Sequence, residues 1–420
     1  MARRNNQMIC GKRNVVLAIV GFVALVMTAA THSHLSADDV VPSKLVRAAT
    51  PGDFNKFRKI LVSPTVNTPV PFKGFGGWCG WPDVCRLKNG DLFVTFSAGY
   101  WHASWPTPID VPPQQEAALK SAYGEWLFDW DCPTGGKTMW IRSRDNGKTW
   151  TRPKAFPEVV GGYYAADVIQ LRDGTMLASV YVSNSWGYWQ QMPATPLEFA
   201  RTAANRLDAH SKVYRSDDNG ESWHAAGQIA SFGENDAVYS FCESPDGSVL
   251  ALYNFSPIPG GANRWLTAVA RSTDKGTTWK TLSIAGSNDF NSYESTGGYL
   301  PDGRIGFITR VGSHWFESSD HGRTWSESKQ VFPLVNGKSV GFRRGSLQVL
   351  PDGVVAVVYC DLVGKNGQLI YSRDNGKSWI KPAEELGFKF DPLAYYPDAC
   401  VLEDGSLFVV GSHEGLGENK

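Results

Sequence analysis

Ser143-Arg144-Asp145-Asn146-Gly147-Lys148-Thr149-Trp150 is one of five copies of the phrase Ser-x-Asp-x-Gly-x-Thr/Ser-Trp, the others running Ser216–Trp223, Ser272–Trp279, Ser318–Trp325 and Ser372–Trp379. An internal repeat constrains architecture before any local propensity does. Each copy reads as a tight turn between strands. The Asp carboxylate is suited to accept backbone N–H groups, and the Gly supplies a backbone angle that other residues resist. The Trp is an apolar plate able to seal neighbouring sheets.

A second repeat interleaves with the first. Apolar runs flank Asn89-Gly90, Asp173-Gly174, Asp246-Gly247, Asp302-Gly303, Asp352-Gly353 and Asp404-Gly405. Asp-Gly or Asn-Gly between such runs is the strongest short-range hairpin signal. The unit is therefore strand, Asp-Gly turn, strand, loop, strand, Ser-x-Asp turn, strand. This predicts an all-β fold, a six-bladed β-propeller of four-stranded antiparallel blades. The sixth hairpin has no Ser-x-Asp phrase after it. Its outer strand is expected from the N-terminal run 57–62, which would close the ring and leave few open edges.

The two repeats together resemble the sialidase (neuraminidase) superfamily, whose propellers carry this phrase as the Asp box, or BNR repeat. The resemblance covers about residues 53–420. It implies that the box aspartates are structural, lying at peripheral turns.

Composition adds an address. Basic residues Arg3, Arg4, Lys12 and Arg13 precede an apolar run from Val15 to Ala30, and small residues follow near Ala37. That pattern predicts a signal peptide over 1–37, too short for an ordinary membrane span, with an uncleaved anchor as the other reading. A linker over 38–52 and one domain over 53–420 follow. The expected location is secreted or periplasmic, with no membrane contact once the leader is removed. Lys plus Arg and Asp plus Glu balance at 41 each, with no basic run beyond the leader. That argues against nucleic acid as a partner. Cys79, Cys85, Cys132, Cys242, Cys360 and Cys400 remain after the leader. Their even number permits bridges in an oxidising compartment, and buried free thiols are equally open. The cysteines and histidines show no zinc spacing, so no metal and no cofactor is expected.

The working face follows from topology. One end of the blades carries only tight turns. The other carries long insertions over 98–137 and 184–210, with Trp101, Trp105, Trp126, Trp130, Trp186 and Trp189 among their rings. Long loops on a rigid scaffold are where sites form, and such rings either stack on sugars or pack the loops down. Near the axis, the position eight residues before each hairpin Asp/Asn reads Trp81, Ala165, Val238, Glu294, Arg344 and Tyr396. A carboxylate, a guanidinium and a phenol thus fall on consecutive blades and face one centre.

The sialidase resemblance overlays these positions. Tyr396-Pro397-Asp398 before the last hairpin resembles the family's nucleophile motif. Glu294 before the fourth hairpin and Arg310 at the end of its second strand match the family's spacing. The resemblance implies Tyr396 as nucleophile, Glu294 as its base, and Arg310 as a holder of a substrate carboxylate through parallel hydrogen bonds. A phenol suits such a substrate because, unlike a carboxylate nucleophile, it carries no charge to repel until a base takes its proton. Three departures stand out. Gly80-Trp81-Pro82 lacks the family's first arginine. Lys365 replaces the third, with Arg343 or Arg344 as a substitute cation. The general acid belongs to the expanded loop, where Asp110, Glu125, Asp129 and Asp131 are candidates. Asp131 is favoured for its aromatic setting, which raises a carboxyl pKa.

The expected function is a retaining exo-glycoside hydrolase acting on an acidic glycan or glycoconjugate, sialic acid or a similar sugar. A polysaccharide lyase on the same fold and a carbohydrate-binding propeller without turnover are the alternatives. Oligomeric state is not legible.

Overall fold

A computed structural model describes residues 15–19, 58–62, 66–72, 78–99, 137–157, 167–182, 210–229, 234–256, 266–285, 292, 294–310, 313–332, 342–361, 366–381 and 394–413. All regular structure in these residues is β. Two N-terminal strands, β1 (Val15–Ile19) and β2 (Arg58–Val62), precede the first sheet, β3 (Trp78–Arg86), β4 (Leu92–Gly99), β5 (Lys137–Ser143) and β6 (Lys154–Ala155). The second sheet holds β7 (Asp167–Gln170), β8 (Met176–Val182), β9 (His210–Ser216) and β10 (His224–Gln228). The third holds β11 (Glu234–Glu243), β12 (Val249–Ser256), β13 (Leu266–Ser272) and β14 (Lys280–Ala285). The fourth holds β15 (Thr296–Tyr299), β16 (Ile305–Ile308), β17 (His314–Ser318) and β18 (Lys329–Gln330). Among the described residues the fifth holds β19 (Phe342–Val349), β20 (Val355–Asp361) and β21 (Asn366–Ser372), and the last strands form the hairpin β22 (Ala394–Val401) and β23 (Leu407–His413).

The fold is thus an all-β propeller with antiparallel blades, but not the six four-stranded blades expected. Five sheets have four strands and the fifth in chain order has three among the described residues. After Trp379 only a single bridge, Tyr371 to Ile380, marks where a fourth strand would lie. The last sheet also departs from expectation. Its order is β2-β1-β23-β22, so Arg58–Val62 is the outermost strand but does not lie against the final hairpin. Val15–Ile19, assigned from sequence to a leader, lies between them and pairs with both. A β-branched apolar run satisfies a strand as readily as a leader core.

The core is distributed between sheets. Phe93 and Trp140 of the first sheet pack with Met176 and Tyr214 of the second. Leu171, Leu177 and Val213 pack with Tyr253 and Ala268. The same relation recurs along the chain, and Phe96 and Ile141 of the first sheet share a cluster with Phe408 and Val410 of the last.

The Asp boxes fasten these seams. Asp145 Oδ1 accepts from Thr149 N at 2.8 Å, and Ser143 Oγ accepts from Gly147 N at 2.8 Å. Trp150 Nε1 donates to Gly147 O at 3.2 Å. The same carboxylate and hydroxyl bonds recur in later boxes. Box turns rest on a neighbouring sheet. At Gly147 (φ +79°) an added Cβ would stand 2.9 Å from the Phe408 ring, and at Gly376 (φ +85°) 2.5 Å from that of Trp315. Gly is required there both by backbone angle and by space.

Candidate active site

The innermost strands of the sheets meet at the hub. The residue six before each hairpin turn reads Asp83, Asp167, Ser240, Thr296, Ser346 and Asp398. These short polar side chains reach a neighbouring inner strand. Asp398 Oδ2 accepts from Val84 N at 2.6 Å, Asp167 Oδ2 from Phe241 N at 2.6 Å, Ser240 Oγ from Gly297 N at 3.2 Å and Thr296 Oγ1 from Leu347 N at 3.0 Å. Ser346 Oγ instead donates to Ala399 O at 3.3 Å. This ring was not read from sequence, although its register was there to be counted.

Just before it, the ladders slip. Register shifts fall between Gly80 and Asp83, Val238 and Ser240, Arg343 and Gly345, and Tyr395 and Asp398. Bulges re-aim side chains and concentrate beside active sites. Here they turn Trp81, Tyr239, Arg344 and Tyr396 out of the normal alternation and into the hub.

Two clusters result. In the first, Tyr396 Oη donates to Glu294 Oε1 at 3.2 Å, and Arg310 Nη1 donates to the same oxygen at 2.5 Å. Glu294 is 2% exposed and Tyr396 6%. Glu294 Oε2 is buried with no hydrogen-bond partner among the described residues. The Trp81 ring meets the Tyr396 ring edge-on, centroids 6.2 Å apart and planes at 70°. A base within hydrogen-bond reach of a phenol, itself oriented by a third group, is the arrangement that activates a nucleophile.

In the second cluster Arg344, buried, donates from Nη2 to Asp83 Oδ2 at 3.0 Å and lies over the Tyr239 ring at 5.4 Å. Asp167 and Asp398 complete it. Loss of hydration raises the Asp83 carboxyl well above its ordinary value, and the charges of Asp398 and Asp167 push the same way. Desolvation lifts Asp167 to about 6 against the pull of Arg344, and raises Asp398 with Arg344 again opposing. The contact between the two carboxyls raises Asp83 further and lowers Asp167. Burial alone would lower the Arg344 pKa, but the three carboxylates outweigh it and raise it. One guanidinium thus faces three acids.

Of the residues expected at the site, the structure brings together Tyr396, Glu294 and Arg310. It places Arg344 in the acid cluster, bonded to Asp83. The Arg343 side chain, Lys365, Asp131 and the loop aromatics lie outside the described residues, as does Cys132. The five described cysteines are free thiols. Burial pushes Cys85 and Cys242 up to about 12. Among the described residues no group of His, Cys, Asp or Glu is placed to hold a metal ion.

The BNR/Asp-box repeat model matches residues 214–225, which contain the second box and its flanks. The chain carries Asp boxes on a β-propeller fold. A protein of unknown function from Dyadobacter fermentans has the same fold, with a TM-score of 0.53 at 17% identity over 82% of this chain and 96% of that one. An alpha-L-arabinanase from Penicillium chrysogenum gives a TM-score of 0.49 at 15% identity, over 80% of this chain and 92% of that one. The K499G mutant of the NanB sialidase from Streptococcus pneumoniae gives 0.49 at 14% identity, over 79% of this chain and 64% of that one. No curated protein matches the chain.

Proposed function

We propose that this Asp-box propeller is a retaining exo-glycoside hydrolase of sialidase type acting on an acidic sugar of a glycan or glycoconjugate. The observation that carries the proposal is the 3.2 Å hydrogen bond from Tyr396 Oη to Glu294 Oε1 at the hub. Glu294 takes the phenol proton as Tyr396 Oη attacks the anomeric carbon. The bond to the leaving oxygen breaks, and an acid of the 98–137 loop, Asp131 in this reading, protonates that oxygen. Water then attacks the glycosyl–tyrosine, giving its proton to the loop carboxylate, and the phenolate recovers its own from Glu294. Arg310 is 16% exposed at its side chain and orients Glu294 while presenting cationic N–H groups to a substrate carboxylate. Lys365 and Arg343 are the further cations of this reading, while Arg344 is engaged by Asp83.

Export by the leader over 1–37 belongs to the same reading, with the run 57–62 then closing the ring. N-terminal sequencing of the protein isolated from its producer tests the address. A start after residue 37 supports export, whereas a start at Met1 keeps β1 in place and removes the leader reading.

Activity is tested with a fluorogenic sialoside and a panel of acidic oligosaccharides. New reducing ends are expected from the wild type. Tyr396→Phe is expected to abolish turnover with an unchanged melting temperature, and Glu294→Gln to reduce kcat by about 10²–10⁴-fold. An unsaturated product absorbing in the ultraviolet would replace hydrolysis by a lyase reaction, and binding with no product would leave a carbohydrate-binding propeller. Turnover retained by Tyr396→Phe would remove the nucleophile.

A further inference from the structure

Among the described residues ten that are not glycine have positive φ. Five of them, Asn146, Asn219, Lys275, His321 and Asn375, occupy one position of the five Asp boxes, where the turn dictates the angle. Asn67 and Ser313 lie in connections. The other three are Trp81 (φ +49°), Glu294 (φ +48°) and Tyr396 (φ +48°). All three stand eight residues before a hairpin turn, in three different blades. A left-handed backbone at a bulky residue is a true outlier, costs about 1–3 kcal/mol, and persists where function uses the geometry it gives. Two of the three are the proposed nucleophile and base. The third shares their angle, their register and their burial, being 1% exposed.

We infer that Trp81 is a positioning residue for Tyr396. This rests on the proposed Tyr/Glu reading. The indole stands edge-on to the phenol ring at 6.2 Å, the arrangement that aromatic quadrupoles favour. It braces one side of that ring, so the direction of Oη toward Glu294 Oε1 depends on it. The left-handed turn at Trp81 is what swings the indole out of strand β3 and into the hub. A tryptophan held there for packing alone would need neither the strained angle nor the shared register.

The test compares Trp81→Phe, which keeps an aromatic edge, with Trp81→Leu, which does not. Each is measured for kcat, KM and melting temperature beside the wild type and Tyr396→Phe. Trp81→Leu is expected to lower kcat about tenfold or more at nearly unchanged KM, since an aromatic pair and a slightly misplaced reacting group each count on that scale. Trp81→Phe is expected to recover most of kcat although it too loses core volume and melts lower. Equal kcat in both variants, or a kcat that simply follows melting temperature, overturns the inference while Tyr396→Phe remains inactive. A wild type without turnover, or an active Tyr396→Phe, overturns the hydrolase reading and this inference with it.

Discussion

Replacing Asp167 by Asn should make the protein's stability less sensitive to pH, and the hub geometry says by how much. Asp167 accepts from Phe241 N at 2.6 Å, meets the Asp83 carboxyl, and faces Asp398 and Arg344. Desolvation lifts it from the ordinary 3.8 to about 6. A carboxyl raised in the folded state favours folding while it is protonated. Its contribution is therefore fully present below pH 4 and lost as pH rises through 6. At 1.36 kcal/mol per pKa step the whole loss is about 3 kcal/mol, of which about 2 kcal/mol falls between pH 4.5 and 7.5. Residual solvent contact at Asp167 makes that an upper figure. In the Asp167→Asn variant the amide carbonyl would still accept from Phe241. The amide nitrogen would donate to Asp83, which is then free to ionise against Arg344. The measurement is equilibrium urea unfolding of both proteins at pH 4.5 and pH 7.5. The box aspartates titrate on the other side of pH 4 and cancel in the comparison. Burial opposes ionisation of Asp218 and Asp320, but hydroxyl and backbone donors together hold both near 2. The variant should gain on the wild type by about 2 kcal/mol across that interval. Equal pH dependence in the two proteins would refute the raised carboxyl. A variant less stable than wild type by over about 1 kcal/mol at pH 7.5 would show that a negative charge at this position is itself required.

Other outcomes follow from the same geometry. Arg344→Met leaves three carboxyls around an apolar side chain and should cost about 3–5 kcal/mol at pH 7.5, with the deficit shrinking below pH 4 as Asp83, Asp167 and Asp398 all carry protons. Unfolding at the two pH values checks both parts. Gly376→Ala should destabilise more than Gly174→Ala, because both have positive φ but only the first places a methyl against Trp315, at 2.5 Å, while the second meets nothing within 4 Å. The backbone alone accounts for about 1–2 kcal/mol and overpacking adds about 1–3 kcal/mol at Gly376, which thermal unfolding of the two variants resolves.

The sequence made the short-range features legible and hid those that need a third dimension. Asp-Gly hairpins and Asp boxes could be read because a turn is specified by adjacent residues. The Tyr396–Glu294 pair could be read because counting back from the hairpins places both residues at one level of the hub. Two residues nearer the turns, Asp83, Asp167, Ser240, Thr296, Ser346 and Asp398 do one job with three residue types, so no letter repeats throughout and the ring passed unread. The outer strands Lys154–Ala155 and Lys329–Gln330 are two residues long, too short for any periodicity. Val15–Ile19 is ambiguous in principle, since nothing in five apolar residues separates a strand from a leader core.

Trp81 shows the other limit. Its register could be counted, but its backbone angle and its place inside a ladder slip could not, and Val238 at the equivalent position is paired with Tyr253. The same ladder slips that aim Trp81 and Tyr396 inward end at Asp83 and Asp398, which fasten the inner strands. Chemistry and cohesion therefore share one backbone irregularity at each strand. The bond from Val84 N to Asp398 Oδ2 at 2.6 Å ties the end of the β22 slip to β3, two residues from the phenol.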